Sequence, residues 1–332
     1  MRDTGLVLVD GMPGTGKSTA AQFVCSTLRE SGLRCRWHHE ERAAHPVQLF
    51  YSSEQHASGV SYAEEAIARW SSYAEELGER DQVDVLDAAL LQNHVRSMLL
   101  FDCERHSIFD LARRIEERIN PVMPVFVYMR PTGISELFER VSEVRGGRLL
   151  DRWIESQEQF PYARNSELMG YDGFLSFWRE FRTISDQVFE NLAIPKLRLD
   201  ISGSDWNRHY DQVLSFLNVL VPAGYSVEES LERFAGTYRE SGDECGEACV
   251  LHVMQECLLA INDRPTLDID GGPIGCFREV RLVPCAPMVF NVAGWPHKVE
   301  FDEDASRAIV GMRVIVSEEG WISRTRSYNR QQ

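Results

Sequence analysis

The chain has 332 residues, enough for two domains, with 43% hydrophobic and 26% charged residues, the balance of an ordinary soluble globular protein. Asp plus Glu number 51 against 35 Lys plus Arg, a formal charge of −16, which argues against nucleic acid as the main partner because phosphate backbones select basic surfaces. No apolar run approaches a membrane span, and Arg2 and Asp3 near the start do not fit a signal peptide. The expected compartment is therefore the cytoplasm, with the eight cysteines as reduced thiols.

Leu6, Val7, Leu8 and Val9 predict a fully buried strand, apolar and without alternation. The segment after it, Gly11, Met12, Pro13, Gly14, Thr15, Gly16, Lys17, Ser18, satisfies the phosphate-binding spacing GxxxxGK[ST] at every fixed position, with Thr19 following. Backbone N–H groups must turn inward around a phosphate, and the glycines permit the dihedrals that this needs. Residues 18–29 predict a helix, with Ala20, Ala21, Val24 and Leu28 on one face, whose N-terminus adds its positive dipole end. In this chemistry Lys17 reaches the β- and γ-phosphates of a nucleotide and Ser18 places its hydroxyl on Mg²⁺. The plainer alternative is a glycine-rich turn between a core strand and a helix.

Residues 33–37 predict the second strand, ending in His38, His39, Glu40 and Glu41. Residues 83–87 predict a short third strand, and residues 88–119 one long helical region stopped by Asn120 and Pro121. Residues 125–129 predict a buried strand and residues 132–144 a helix, followed by an arginine-rich turn with Arg145 and Arg148, and then Arg152. Residues 153–192 are mostly helical and heavily aromatic, residues 196–200 form the last strand of this part, and residues 205–219 a closing helix. Strands alternating with helices predict an α/β fold, a parallel sheet covered on both faces. The boundary falls near Val221 and Pro222, dividing the chain into residues 1–222 and a small β-rich sheet or barrel at 223–332.

The loop at 11–18 and the segment Val127, Tyr128, Met129, Arg130 through Arg140 to Arg145, Gly146, Gly147, Arg148 carry a resemblance. Residues 4–219 resemble the nucleoside and nucleotide kinase group of phosphate-loop proteins. That group includes deoxynucleoside kinases, thymidylate kinase and some antibiotic phosphotransferases. The D/E-R-S motif of deoxynucleoside kinases is absent at residues 87–89, which read Asp, Ala, Ala; Glu104, Arg105, His106, Ser107 looks like it but falls inside the predicted helix.

The resemblance implies an ATP- and Mg²⁺-dependent transfer to a small-molecule hydroxyl. Either Glu40 or Glu41 would accept the hydroxyl proton, Asp87 would hold the metal or touch the substrate, and Gln92 would face the acceptor. Arg145, Arg148 and Arg152 would close over the γ-phosphate, and residues 201–205, with Ser202 and Asp205, would line the adenine edge. His39, Tyr162 and Arg164 are candidates for the acceptor pocket. Each has a duller reading: Glu40 and Glu41 as a solvated loop, Asp87 as the cap of a helix starting at Ala88, the arginines as a solvated face, and the aromatic stretch as core. An NTPase switch without an acceptor, or a binding module with a degenerate loop, would carry the same loop.

Cys245, Cys249, His252 and Cys257 depart from zinc-ligand spacing and read as core thiols. Leu231, Glu232, Arg233, Phe234, Ala235, Gly236, Thr237, Tyr238 resembles the opening strand of small lipocalin-like domains, with residues 290–301 and 310–316 as later strands. Such a domain covers the pocket, stabilises the protein or pairs two copies into a homodimer.

Overall fold

The computed structural model describes residues 4–41, 45–49, 59–201, 206–219, 230–241, 248–254, 257–262, 279–316 and 325–331. The chain divides into two compact units, Met1–Phe138 with Asp151–Pro222, and Glu139–Leu150 with Ala223–Gln332.

The first unit is built on β1 (Leu6–Gly11), β2 (Cys35–His38), β3 (Val83–Asp87), β4 (Pro124–Pro131) and β5 (Lys196–Ile201). They form one sheet in the order β2-β3-β1-β4-β5, and every pairing is parallel. β1 and β3 are buried along their whole length, as a sheet with helices on both faces requires. One face packs Val7, Val9, Val85, Val127 and Leu199 against Ala21, Val24 and Leu28 of α1 (Lys17–Glu30) and Val213 of α9 (Trp206–Leu217). Val9 is level with Asp87, and His38 with Leu86. The glycine loop after β1, Glu40 after β2 and Asp87 at the end of β3 therefore share the carboxyl edge of the sheet, where open α/β sheets place their ligands.

α2 (Gly59–Gly78) and α4 (Arg105–Ile119) pack side by side. The predicted helix at 88–119 is interrupted. A π-helical run, Leu90–Val95, continues into α3 (Arg96–Leu100), the chain breaks at residues 101–104 with Asp102 at φ 59°, and α4 follows. Glu104 is thus the N-cap residue of α4 and not part of a helix interior. The arginine-rich turn is also corrected. α5 (Ile134–Arg145) and α6 (Gly147–Glu158) meet at Gly146 alone, so Arg145 ends one helix while Arg148 and Arg152 lie a turn apart on the next. α7 (Pro161–Asn165) and α8 (Gly170–Asn191) complete the unit, and α8 buries Phe174, Phe177, Trp178 and Phe181.

The second unit contains a closed antiparallel barrel of eight strands: β6 (Gly236–Glu240), β7 (Ala248–Met254), β8 (Cys257–Asn262), β9 (Glu279–Ala286), β10 (Val289–Val292), β11 (His297–Glu303), β12 (Ile309–Val316) and β13 (Arg326–Arg330). Each strand pairs with the next in sequence, and β13 returns to β6, an up-and-down closure that leaves no open edge. Alternate side chains fill the interior, among them Leu251, Leu258, Leu282, Phe290, Phe301, Met312 and Tyr328. The expected opening strand is shorter than its sequence suggests. Leu231–Phe234 is a single 3₁₀ turn whose Phe234 packs on Phe290 and Phe301 at 5.0 and 4.8 Å between ring centroids, and the strand begins at Gly236. Along β7, Cys249 faces the interior and His252 is exposed, the alternation of a strand. Cys245 lies outside the described residues.

No helix among the described residues is long and apolar enough to cross a membrane.

Candidate active site

The glycine loop is shaped by close approach. A Cβ on Gly11 would stand 2.4 Å from the Met129 carbonyl oxygen, and one on Gly16 would stand 2.3 Å from the Trp206 ring. Gly16 also takes a left-handed φ of 82° as the cap residue of α1, so no other residue type fits there without rearrangement. Thr15 turns its hydroxyl back to donate to the Met12 carbonyl at 2.8 Å, and both side chains are buried. Pro13, Ser18 and Thr19 are half-buried. Among the described residues the backbone N–H groups of Gly14, Gly16, Lys17 and Ser18 find no protein acceptor. They are the orphan donors that a helix start leaves for an anion.

Lys17 is buried at the first turn of α1, and its Nζ donates to Glu40 Oε1 at 3.1 Å. Gln92, from the π-helical run, donates through Nε2 to Glu40 Oε2 at 2.5 Å. Asp87 is wholly buried beside this pair, and among the described residues neither of its oxygens is hydrogen-bonded. Burial and then the Glu40 charge push its carboxyl well above the usual range, against the pull of Lys17. The Ser18 hydroxyl and the Glu40 backbone lie near enough to favour the ionised form, but neither meets hydrogen-bond geometry. Asp87 does not cap a helix at Ala88: that residue is left-handed, with φ 54°, and the helical run begins at Leu90.

The cap is Asp10, the last side chain of β1 before the loop. Its Oδ2 accepts the N–H groups of Leu90 and Leu91 at 2.8 and 2.7 Å, and its Oδ1 accepts those of Gln92 and Gly11 at 3.0 and 2.8 Å. Burial raises its carboxyl to about 6 even against these donors. One carboxylate thus joins the glycine loop to the segment that carries Gln92.

Arg96 stands one turn beyond Gln92. Its Nε is buried and has no partner among the described residues, its guanidinium lies 5.7 Å from the centre of the Trp178 ring, and it feels the charge of Glu40. The Gln92 Oε1 and Trp178 Nε1 atoms are likewise buried without partners among the described residues.

The remaining candidates are spread out. His39 is buried, with its ring edge-on to Trp37 at 5.3 Å and its Nδ1 accepting the Glu41 N–H at 3.1 Å. The same turn carries Glu40 to Lys17. Tyr162 on α7 packs on Phe177 at 5.4 Å, while Arg164 and Arg152 are exposed. Arg145 and Arg148 belong to the second unit. Ser202 and Asp205 lie outside the described residues, and Trp206, which follows them, rests on Gly16.

Sequence reasoning missed Asp10, Arg96 and Trp206. Asp10 had a signal: it is a charge at the end of an otherwise apolar run that must be buried.

No family model matches the chain, and no curated protein matches it. Among solved structures, the chain is similar to thymidylate kinase from Candida albicans at 12% identity, over 65% of this chain and 91% of that one, with a TM-score of 0.41. It is similar to shikimate kinase from Acinetobacter baumannii at 13% identity, over 65% and 94%, with a TM-score of 0.31. It is also similar to the YorR protein of Bacillus subtilis, solved with phosphorylated GDP, at 12% identity, over 64% and 95%, with a TM-score of 0.33.

Proposed function

We propose that the first unit is a small-molecule kinase that transfers the γ-phosphoryl group of ATP to a hydroxyl. The observation that carries this reading is the meeting of Lys17, Ser18, Glu40, Asp87 and Gln92 at the carboxyl edge of the sheet, next to a loop of unpaired N–H groups. The hydroxyl oxygen forms the new bond to the γ-phosphorus, the bond from that phosphorus to the β–γ bridging oxygen breaks, and the hydroxyl proton passes to Glu40. Lys17 and the loop N–H groups hold the triphosphate, with Arg152 as a further cation for the transferred group. Asp87, a buried carboxylate with two free oxygens beside the Ser18 hydroxyl, has the hard-oxygen character that Mg²⁺ requires, and these two residues would hold it. The metal would supply charge neutralisation across the phosphates. The Lys17–Glu40 pair links the two halves of the site: a triphosphate that draws Lys17 away frees a Glu40 oxygen for the acceptor.

Acceptor-dependent ADP release tests the reading, with pooled nucleosides, sugars and aminoglycoside- or nucleoside-type antibiotics as acceptors. Lys17→Ala abolishes turnover with circular dichroism unchanged. Glu40→Gln lowers kcat about a hundredfold or more, the share of a general base, and leaves MgATP binding by calorimetry near wild type. ATP hydrolysis that no acceptor accelerates would overturn the kinase in favour of an NTPase switch.

A further inference from the structure

Among the described residues, Asp87 Oδ1 and Oδ2, Gln92 Oε1, Arg96 Nε and Trp178 Nε1 are buried polar atoms without partners, and Asp87, Gln92 and Arg96 each touch Glu40 or feel its charge. Buried polar groups are almost always hydrogen-bonded, so such a cluster marks a place completed by something else. Asp87 is answered by the nucleotide half of the site. Arg96 is not. Its guanidinium keeps its charge under all ordinary conditions and offers five donors in a planar fork. The carboxylate nearest in its field, Glu40, is held by Lys17 at 3.1 Å and Gln92 at 2.5 Å. The Trp178 face at 5.7 Å compensates part of the cost of burial but accepts no in-plane hydrogen bond. A half-buried guanidinium whose Nε is sealed from solvent with no partner among the described residues is costly, and an anion is what relieves it.

We propose that the acceptor carries, besides its hydroxyl, an anionic oxyacid group, a carboxylate or a phosphate, and that Arg96 receives that group. The inference rests on the phosphoryl-transfer reading for the word acceptor, but the binding site itself does not. Gln92 and Arg96 project from successive turns of one helical run, and Gln92 already reaches Glu40. A ligand that presents its hydroxyl to Glu40 therefore extends along this run to Arg96, over the Trp178 ring. A neutral alcohol of the same shape leaves the guanidinium unanswered, and a site built to bond a charged group rejects the analogue that lacks it.

The test is a calorimetric titration in the presence of MgADP, which occupies the nucleotide half. Hydroxy acids and sugar phosphates are each paired with the matching hydroxy amide or free sugar. At least one anionic member binds, its neutral counterpart binds about a hundredfold more weakly or worse, and Arg96→Gln weakens the anionic member by a similar factor while leaving the neutral one unchanged. Arg96→Lys, which keeps the charge without the fork, recovers part of the loss and controls for folding. If no anionic member binds, if the neutral members bind equally well, or if Arg96→Gln binds the anion as tightly as wild type, the inference is overturned. The two ideas separate cleanly. Binding through Arg96 without ADP release from ATP sinks the kinase and keeps the anion site; phosphorylation of neutral alcohols alone does the reverse.

Discussion

Asp10 shows how much of a site one buried side chain can hold. Its two oxygens accept four backbone N–H groups at 2.7–3.0 Å, one from the glycine loop and three from the start of the helical run at Leu90. These donors have no other acceptor at hand, since the strand supplies none at the end of β1 and a helix start supplies none to its own first turn. Asp10→Ala leaves all four without a protein partner in a buried place, and the expected loss is about 3–5 kcal/mol, less than the sum of four orphan donors because water and small shifts relieve some of them. Asp10→Asn keeps one accepting oxygen and loses roughly half as much. Urea unfolding measures both, and a Asp10→Ala variant within about 0.5 kcal/mol of wild type would show that the carboxylate is not holding this junction. In the folded fraction that remains, the acceptor KM should rise more than the MgATP dissociation constant, because three of the four bonds orient the segment of Gln92.

The helical run from Leu90 to Leu100 is fixed from its other side by a neutral histidine. Trp70 Nε1 donates to His94 Nε2 at 2.8 Å, so the proton sits on Nδ1 and is donated to the Tyr62 oxygen at 3.0 Å, while the Tyr62 hydroxyl reaches Asn93 Oδ1 at 3.4 Å. Burial lowers the imidazole to about 3, from 6.5. The folded value is depressed, so this group's contribution is fully present above the unfolded value and is lost as pH falls towards the folded one. Asp10, raised to about 6, works in the opposite sense across the more acidic part of that window, because its folded form binds the proton more readily. The clean comparison is therefore with His94→Gln, which keeps Asp10. The stability difference between wild type and variant should grow between pH 5 and 6.5 by up to about 1.4 kcal/mol per pH unit and level off above pH 7. An unchanged difference at pH 5 and pH 7.5 would mean that the histidine is not buried neutral. None of this network was legible in the sequence. The strands were, because Leu6 to Val9 and Val125 to Met129 are unbroken apolar runs of the kind only a covered parallel sheet accepts. The loop was, because its chemistry is local. The break at residues 101–104 was not, since Ile108, Leu111 and Ile115 continue a helical period beyond it and no proline or glycine marks the stop. Asp10 meets Leu90 across 80 positions, and no local pattern reports such a contact.

Among the described residues, each unit has a hydrophobic core of its own. The sheet of the first unit packs Val7, Val9, Val85 and Val127 against α1 and α9, while the barrel encloses Phe234, Phe290, Phe301 and Met312. A core that closes on itself around a filled interior has the means to fold as its own cooperative unit. Scanning calorimetry should then resolve two transitions. On the proposed kinase reading, MgATP binds the unit with the glycine loop and raises one of them, by about 2.7 kcal/mol at a hundredfold excess over its dissociation constant. Phe301→Ala empties the centre of the barrel and costs about 3–5 kcal/mol in the other. The two perturbations act on different transitions, so applied together they should add within about 0.5 kcal/mol. A single transition that shifts as one with either perturbation would show that the barrel and the nucleotide fold share their stability, and the closed barrel would then have to be counted as part of what holds Lys17 and Glu40 in place.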